Sequence, residues 1–191
     1  LNGNPELVFE LTSLSSFSQL QNLYLKNAII SDSSFQGLLS LDRLKLNECN
    51  FENFNNESFR HVPNLRELSI SSPESLFLNL KELSKLKWLR IDGILRYFDN
   101  LSLKHDNIET LDIELDDRDI FNGKSISGLS KLRNLRLTFT REIKTIDLNY
   151  DFFSCLESFY LKCRYQSNEI SLSKLCNLKT LDLKLNEKNI S

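Results

Sequence analysis

Few side chains in this 191-residue chain could do chemistry, and their spacing limits what they can do. There are four cysteines, Cys49, Cys155, Cys163 and Cys176, and two histidines, His61 and His105. No two cysteines form a C-x-x-C pair, and the histidines complete no zinc pattern, so neither metal nor cofactor is expected. The acidic run DIELDDRDI at 112–120 offers the oxygen ligands that calcium prefers. It lacks the glycine and closing glutamate of a calcium loop and reads instead as a solvated strand end and loop. Cys163 lies between Lys162 and Arg164, which would favour a thiolate, but no partner base can be named. With no Gly-rich phosphate loop, H-E-x-x-H or G-x-S-x-G, a non-enzymatic protein is expected. One side chain remains. Trp88, the only tryptophan, stands between Lys87 and Arg90 in LSKLKWLRI (83–91), and its role depends on which way the chain faces there.

The direction follows from a repeat. The phrase L-x-x-L-x-L recurs as LQNLYL (20–25), LDRLKL (41–46), LRELSI (65–70), LKWLRI (86–91), IETLDI (108–113), LRNLRL (132–137), LESFYL (156–161) and LKTLDL (178–183). The steps between starts are 21, 24, 21, 22, 24, 24 and 22 residues, and 38 leucines dominate the apolar content. Upstream, apolar residues recur six and three places before the first leucine: Phe35 and Leu38, Phe59 and Val62, Leu80 and Leu83, Leu172 and Leu175, Leu14 and Phe17. The units at Ile108 and Leu156 keep this poorly, and His105 takes a degenerate core position before Ile108. Alternation across L-x-L puts the leucines on one face and the intervening residues on the other. One unit cannot bury its leucines alone, so neighbours must stack.

These phrases resemble the leucine-rich repeat L-x-x-L-x-L-x-x-N-x-L, over nearly the whole of 1–191. The resemblance implies an α/β solenoid, a horseshoe with a concave parallel sheet of about eight short strands and a mostly irregular convex side. The chain departs from the family at the asparagine position, which holds Ala28, Cys49, Pro73, Ile94, Asp116, Thr140, Arg164 and Asn186. Only Asn186 fits, with Cys49 a common substitute, so irregular loops are expected, above all at 95–107 and 139–155. The phrase ESFRHVPNLRELSI further resembles the extracellular repeats of animal receptors, Toll-like receptors among them. That likeness implies a protein or microbial ligand held by the horseshoe, and dimerisation of the parent receptor.

On such a sheet Trp88 is the third residue of its unit and points outward, because Leu86, Leu89 and Ile91 already fill the inward positions. The fifth positions run Tyr24, Lys45, Ser69, Arg90, Asp112, Arg136, Tyr160 and Asp182. Around Trp88 this predicts a mixed patch of Arg90, Asp112, Glu114, Arg136 and Tyr160, with Phe139 at its edge and Tyr24 further along the same row. Alternating signs would let Arg90, Asp112 and Arg136 pair across strands. Exposed Trp, Tyr and Arg are also the residue types enriched in binding hot spots.

Net charge of −2 and pI near 5.8 offer no bulk attraction for nucleic acid or anionic membrane, and no run is long and apolar enough to span a bilayer. A protein partner is expected, with no nucleic acid and no membrane contact. Methionine is absent and the opening lacks the form of a signal peptide, so the chain is expected to be processed or part of something longer. Sequons at Asn56, Asn100 and Asn189 are candidate glycosylation sites, though about three would arise by chance. An extracellular or cell-surface location is expected from the receptor-like phrase. The alternative is a cytoplasmic adaptor or scaffold with reduced cysteines.

Overall fold

The computed structural model describes residues 9–10, 14–53, 56–72, 80–93, 105–115, 120–143, 145–148, 150–165 and 172–186. Each repeat divides by its two periods. Upstream, apolar residues three apart fold into consecutive i→i+3 turns. Leu38 N–H donates to Phe35 O and Leu41 N–H to Leu38 O; Val62 donates to Phe59 and Leu65 to Val62; Leu83 donates to Leu80 and Leu86 to Leu83. Three residues per turn eclipses every third side chain, so all of them point into the core. The Leu156 unit, weak in sequence, folds the same way through Tyr150 and Phe153. In the Ile108 unit the position three residues upstream belongs to His105, buried as expected. Its Nδ1 accepts from Asn107 N–H at 3.2 Å, leaving Nε2 to donate to Leu83 O at 2.8 Å.

Downstream the period falls to two and the chain extends. Eight strands result: β2 (Asn22–Lys26), β4 (Arg43–Asn47), β6 (Glu67–Ser72), β7 (Trp88–Gly93), β8 (Thr110–Leu115), β10 (Asn134–Ile143), β12 (Ser158–Tyr165) and β13 (Thr180–Asn186). They form one parallel sheet in chain order, the concave sheet of the horseshoe. A second sheet joins β1 (Phe9–Glu10), β3 (Ala28–Ser31) and β5 (Asn50–Asn53), and β9 (Ile120–Asn122) pairs with β11 (Thr145–Asp147). The inward leucines and phenylalanines of successive turns make a continuous buried core. At β13 the inward leucines are open: Leu181, Leu183 and Leu185 are 49%, 37% and 42% exposed.

Two expectations need correction. Phe139 is not at the edge of the outward patch: it is buried, at 3% exposure. β10 runs on to Ile143, so alternation from Leu135 and Leu137 carries Phe139 inward, in register with Leu115. For the same reason 139–155 is more regular than the missing asparagine implied, with β10 and β11 followed by a 3-10 turn at Asp151–Cys155. Of 95–107, only 105–107 lies within the described residues.

Part of the missing asparagine's work is done by other residues. Cys49 Sγ donates to Leu25 O at 3.7 Å and Asn47 O at 3.5 Å, and Thr140 Oγ1 to Leu115 O at 3.4 Å. A second set of asparagines, just before the first leucine, ties each turn to the one before. Asn64, Asn107 and Asn177 Nδ2 donate to Leu39 O, Ser84 O and Ser154 O, each at 2.7 Å. The next turn's lysine then holds the amide oxygen: Lys85 on Asn64 at 2.6 Å, Lys131 on Asn107 at 2.8 Å. Asn107→Ala removes both bonds and is expected to lower stability by about 1 kcal/mol. Urea unfolding measures this, and an unchanged midpoint would show that the stitching contributes nothing.

Candidate ligand-binding face

The sheet register sets the outward side chains in three rows. The third positions of the repeats align as Asn22, Arg43, Glu67, Trp88, Thr110, Asn134, Ser158 and Thr180. The fifth align as Tyr24, Lys45, Ser69, Arg90, Asp112, Arg136, Tyr160 and Asp182, and the seventh as Lys26, Asn47, Ser71, Asp92, Glu114, Thr138, Lys162 and Lys184. Each row crosses the strands at about 4.8 Å per step. Trp88 is half-buried, while Leu86, Leu89 and Ile91 fill the inward positions at 0%, 0% and 3% exposure. The ring therefore lies outward, on the concave side.

Four of the expected patch residues adjoin in the middle row. Arg90 Nη1 donates to Asp112 Oδ2 at 3.2 Å, and Arg136 Nε lies 3.9 Å from Asp112 Oδ1. The Arg136 guanidinium stacks 3.7 Å above the Tyr160 ring, and Lys184 Nζ approaches the same ring at 5.4 Å. The cross-strand pairing expected from alternating signs is thus formed. Arg90 also donates from Nε to both oxygens of Asp92, at 2.9 and 3.0 Å. That bond, followed by the charges of Asp92, Asp112 and Glu114, raises the Arg90 pKa against its partial burial. Burial pushes the Asp112 carboxyl up, while Arg90 and Arg136 pull it down. Arg90 is thus held in place by both carboxylates with part of its side chain still exposed.

Towards β2 the sheet hollows into a groove of about 540 Å³. Tyr24 (55% exposed) and Trp88 stand at its two ends, and small Ser69 and Ser71 between them lower the floor. Lys45 reaches over the Tyr24 ring at 5.3 Å, and Arg43 pairs with Glu67 at 3.3 Å. Tyr24 and Trp88, which sequence placed on the same face without joining them, thus bound one cavity. Asp92, Ser71 and Arg43 were not singled out beforehand, and Ser69 was placed in the fifth-position row without a role. Period two assigns them to this face, but only the register shows which neighbours they meet.

Other candidates have structural roles. Cys163 is buried, and its pKa is pushed up to about 11 by that burial, because alternation sends Lys162 and Arg164 to the opposite face. All four cysteines are free thiols. Ser58 of the first sequon is buried and donates to Asp32 Oδ1 at 2.9 Å, in the 3-10 segment Asn56–His61 that begins with Asn56. Asn100 and Asn189 lie outside the described residues, as do 116–119 of the acidic run. No group of three or more His, Cys, Asp or Glu among the described residues could hold a metal ion. No described helix is long and apolar enough to cross a membrane.

No family model matches the sequence, and no curated protein matches it. Solved structures do. TLR13 in its complex with ssRNA13 superposes with a TM-score of 0.71 at 24% identity, over 92% of this chain. This chain spans only 26% of the TLR13 chain. Internalin C2 from Listeria monocytogenes superposes with a TM-score of 0.57 at 20% identity, over 93% of this chain and 76% of its own. At these identities the likeness is one of fold. The repeated motif, the parallel sheet in chain order and both superpositions give this chain a leucine-rich repeat fold.

Proposed function

We propose that the chain is a protein-binding module whose ligand lies on the concave sheet, centred on Trp88 and the adjoining groove. The observation that carries this reading is the outward, half-buried tryptophan at the end of a 540 Å³ hollow, on a sheet whose core is already filled by leucines. A large amphipathic ring beside a restrained arginine has the chemistry of an interface hot spot. Arg90, Asp112, Glu114, Arg136 and Tyr160 flank it, and Tyr24 closes the far end of the groove. The net charge of −2 offers little long-range attraction for a polyanion. A peptide or protein surface is therefore favoured over RNA, although the TLR13 structure superposed here is a complex with ssRNA13.

The parent is further proposed to be a receptor whose ectodomain contains these repeats. The four free thiols favour the second reading, an intracellular adaptor or scaffold. Two measurements decide. A random dodecapeptide library displayed on phage and a single-stranded oligoribonucleotide are offered to the same protein at physiological salt. Peptide binders without measurable RNA binding are expected; RNA binding without any peptide binder would overturn the protein-ligand reading. Peptide mass mapping of the native protein then settles the compartment. Glycans on Asn56 or Asn100 support the receptor, and bare asparagines with four free thiols support the adaptor.

A further inference from the structure

The row of seventh positions is segregated by charge in a way the fold does not need. Asp92 and Glu114 are register partners on β7 and β8, and Lys162 and Lys184 are register partners on β12 and β13, with Thr138 between the two pairs. Side chains directly opposite on neighbouring strands repel when their charges match, so exchanging one acid and one lysine would turn two repulsions into two attractions. Asp92 is relieved by Arg90. Among the described residues Glu114 and Lys162 enter no ion pair, Glu114 acting on Arg90 only through its charge, and the contact given for the Lys184 ammonium is with the Tyr160 ring. Arg136, stacked on that same ring, adds positive charge beside the two lysines. The concave face therefore carries an acidic pair and a basic pair centred about 14 Å apart, three strand spacings.

We propose that this row reads a dipolar peptide segment, one whose acidic side chain sits over Lys162 and Lys184 and whose basic side chain sits over Asp92 and Glu114. An extended peptide rises about 3.3 Å per residue, so the two ligand charges stand about four residues apart. The segment crosses the strands with Trp88 and Arg90 at its cationic end. The like-charge pairs are kept because the ligand neutralises them. This inference rests on the reading that the ligand is a protein bound to the concave sheet.

The test uses the phage-displayed dodecapeptide library on the wild-type chain and on the double variant K162E/K184E. Peptides selected on the wild type are expected to share an acid and a base about four residues apart, and to bind K162E/K184E at least about tenfold more weakly. The single variant K162E places a carboxylate beside Lys184. It is expected to raise the melting temperature by about 1–3 °C while weakening peptide binding. That combination separates a recognition role from a structural one, and the raised melting point shows that the lost binding is not lost folding. Selected peptides without the charge pattern, or with equal affinity for the double variant, overturn the inference. If such peptides still depend on Trp88, the protein-binding reading survives. A library that yields no binder while the oligoribonucleotide binds removes both.

Discussion

Trp88→Ala is expected to weaken the binding of concave-face peptides by about tenfold or more, with the thermal unfolding curve nearly unmoved. The loss follows from what the ring does at the groove. A half-buried indole flanked by Arg90 and Glu67 offers a large apolar surface at small entropic cost, and truncating such an anchor typically costs ~2 kcal/mol or more. About 1.4 kcal/mol already corresponds to a tenfold change in affinity. The fold does not share the loss, because the inward side of β7 is occupied by Leu89 and Ile91, at 0% and 3% exposure. Outward positions on a sheet change stability by roughly 1 kcal/mol at most. Titration calorimetry with a selected peptide, beside a melting curve, measures both quantities. Equal affinity with an unchanged melting curve would remove Trp88 from the site.

The second large effect concerns the scaffold. Phe59 is fully buried, and its ring stacks on that of Phe35 with centroids 6.5 Å apart and planes 9° from parallel. The two rings occupy the same place in successive repeats, six residues before the first leucine. Phe59→Ala opens a cavity between two turns that cannot collapse without shifting the sheet, and is expected to lower stability by about 3–5 kcal/mol. Phe35→Ala should cost a similar amount, and the double variant less than the sum, because both singles remove the same stacking contact. Each turn of a solenoid is held only by its neighbours, so urea unfolding should begin in the turns around β4 and β6. A loss below about 1 kcal/mol would show that these phenylalanines do not stitch the turns together.

The contrast between these two residues explains what could be read before the structure. Phe59 and Phe35 were legible because a period of three followed by a period of two leaves a turn and a strand as the only joint solution. Eight recurrences also fixed the strand order. Trp88 was legible for the same reason, since its neighbours had already claimed the inward side. Phe139 was misplaced because nothing in L-x-x-L-x-L says where a strand stops, and β10 continues to Ile143. The asparagine stitching was half visible. Asn64, Asn107 and Asn177 share one place in the repeat, but it is not the asparagine position of the leucine-rich motif, and the lysine in the following turn emerges only from the packing. The groove was not legible at all. It depends on two small serines lying between Tyr24 and Trp88, a relation across strands that a linear chain does not display.

The cross-strand charges teach a related lesson. In the sequence, Arg90, Asp112 and Arg136 are open both to pairing across strands and to binding a partner. The pairing is formed, and it does not exclude a ligand: by holding Arg90 between Asp92 and Asp112 it reduces the entropy that side chain must lose on binding. The middle row is therefore a structural ladder that would also serve the proposed ligand as a preorganised surface, whereas the seventh-position row, with like charges side by side, has no comparable structural benefit.

Because Trp88 is the only tryptophan, its emission reports on the proposed site with no background from elsewhere in the chain. The most direct measurement is a fluorescence titration of the wild-type protein with a peptide selected from the dodecapeptide library, followed by acrylamide quenching of the complex. A ligand on the concave sheet should shift the emission to shorter wavelength and shield the indole from acrylamide, saturating at the affinity found by calorimetry. If the peptide binds in the calorimeter while the emission and its quenching stay those of the free protein, the ligand sits elsewhere on the solenoid, and Trp88 is not at its centre.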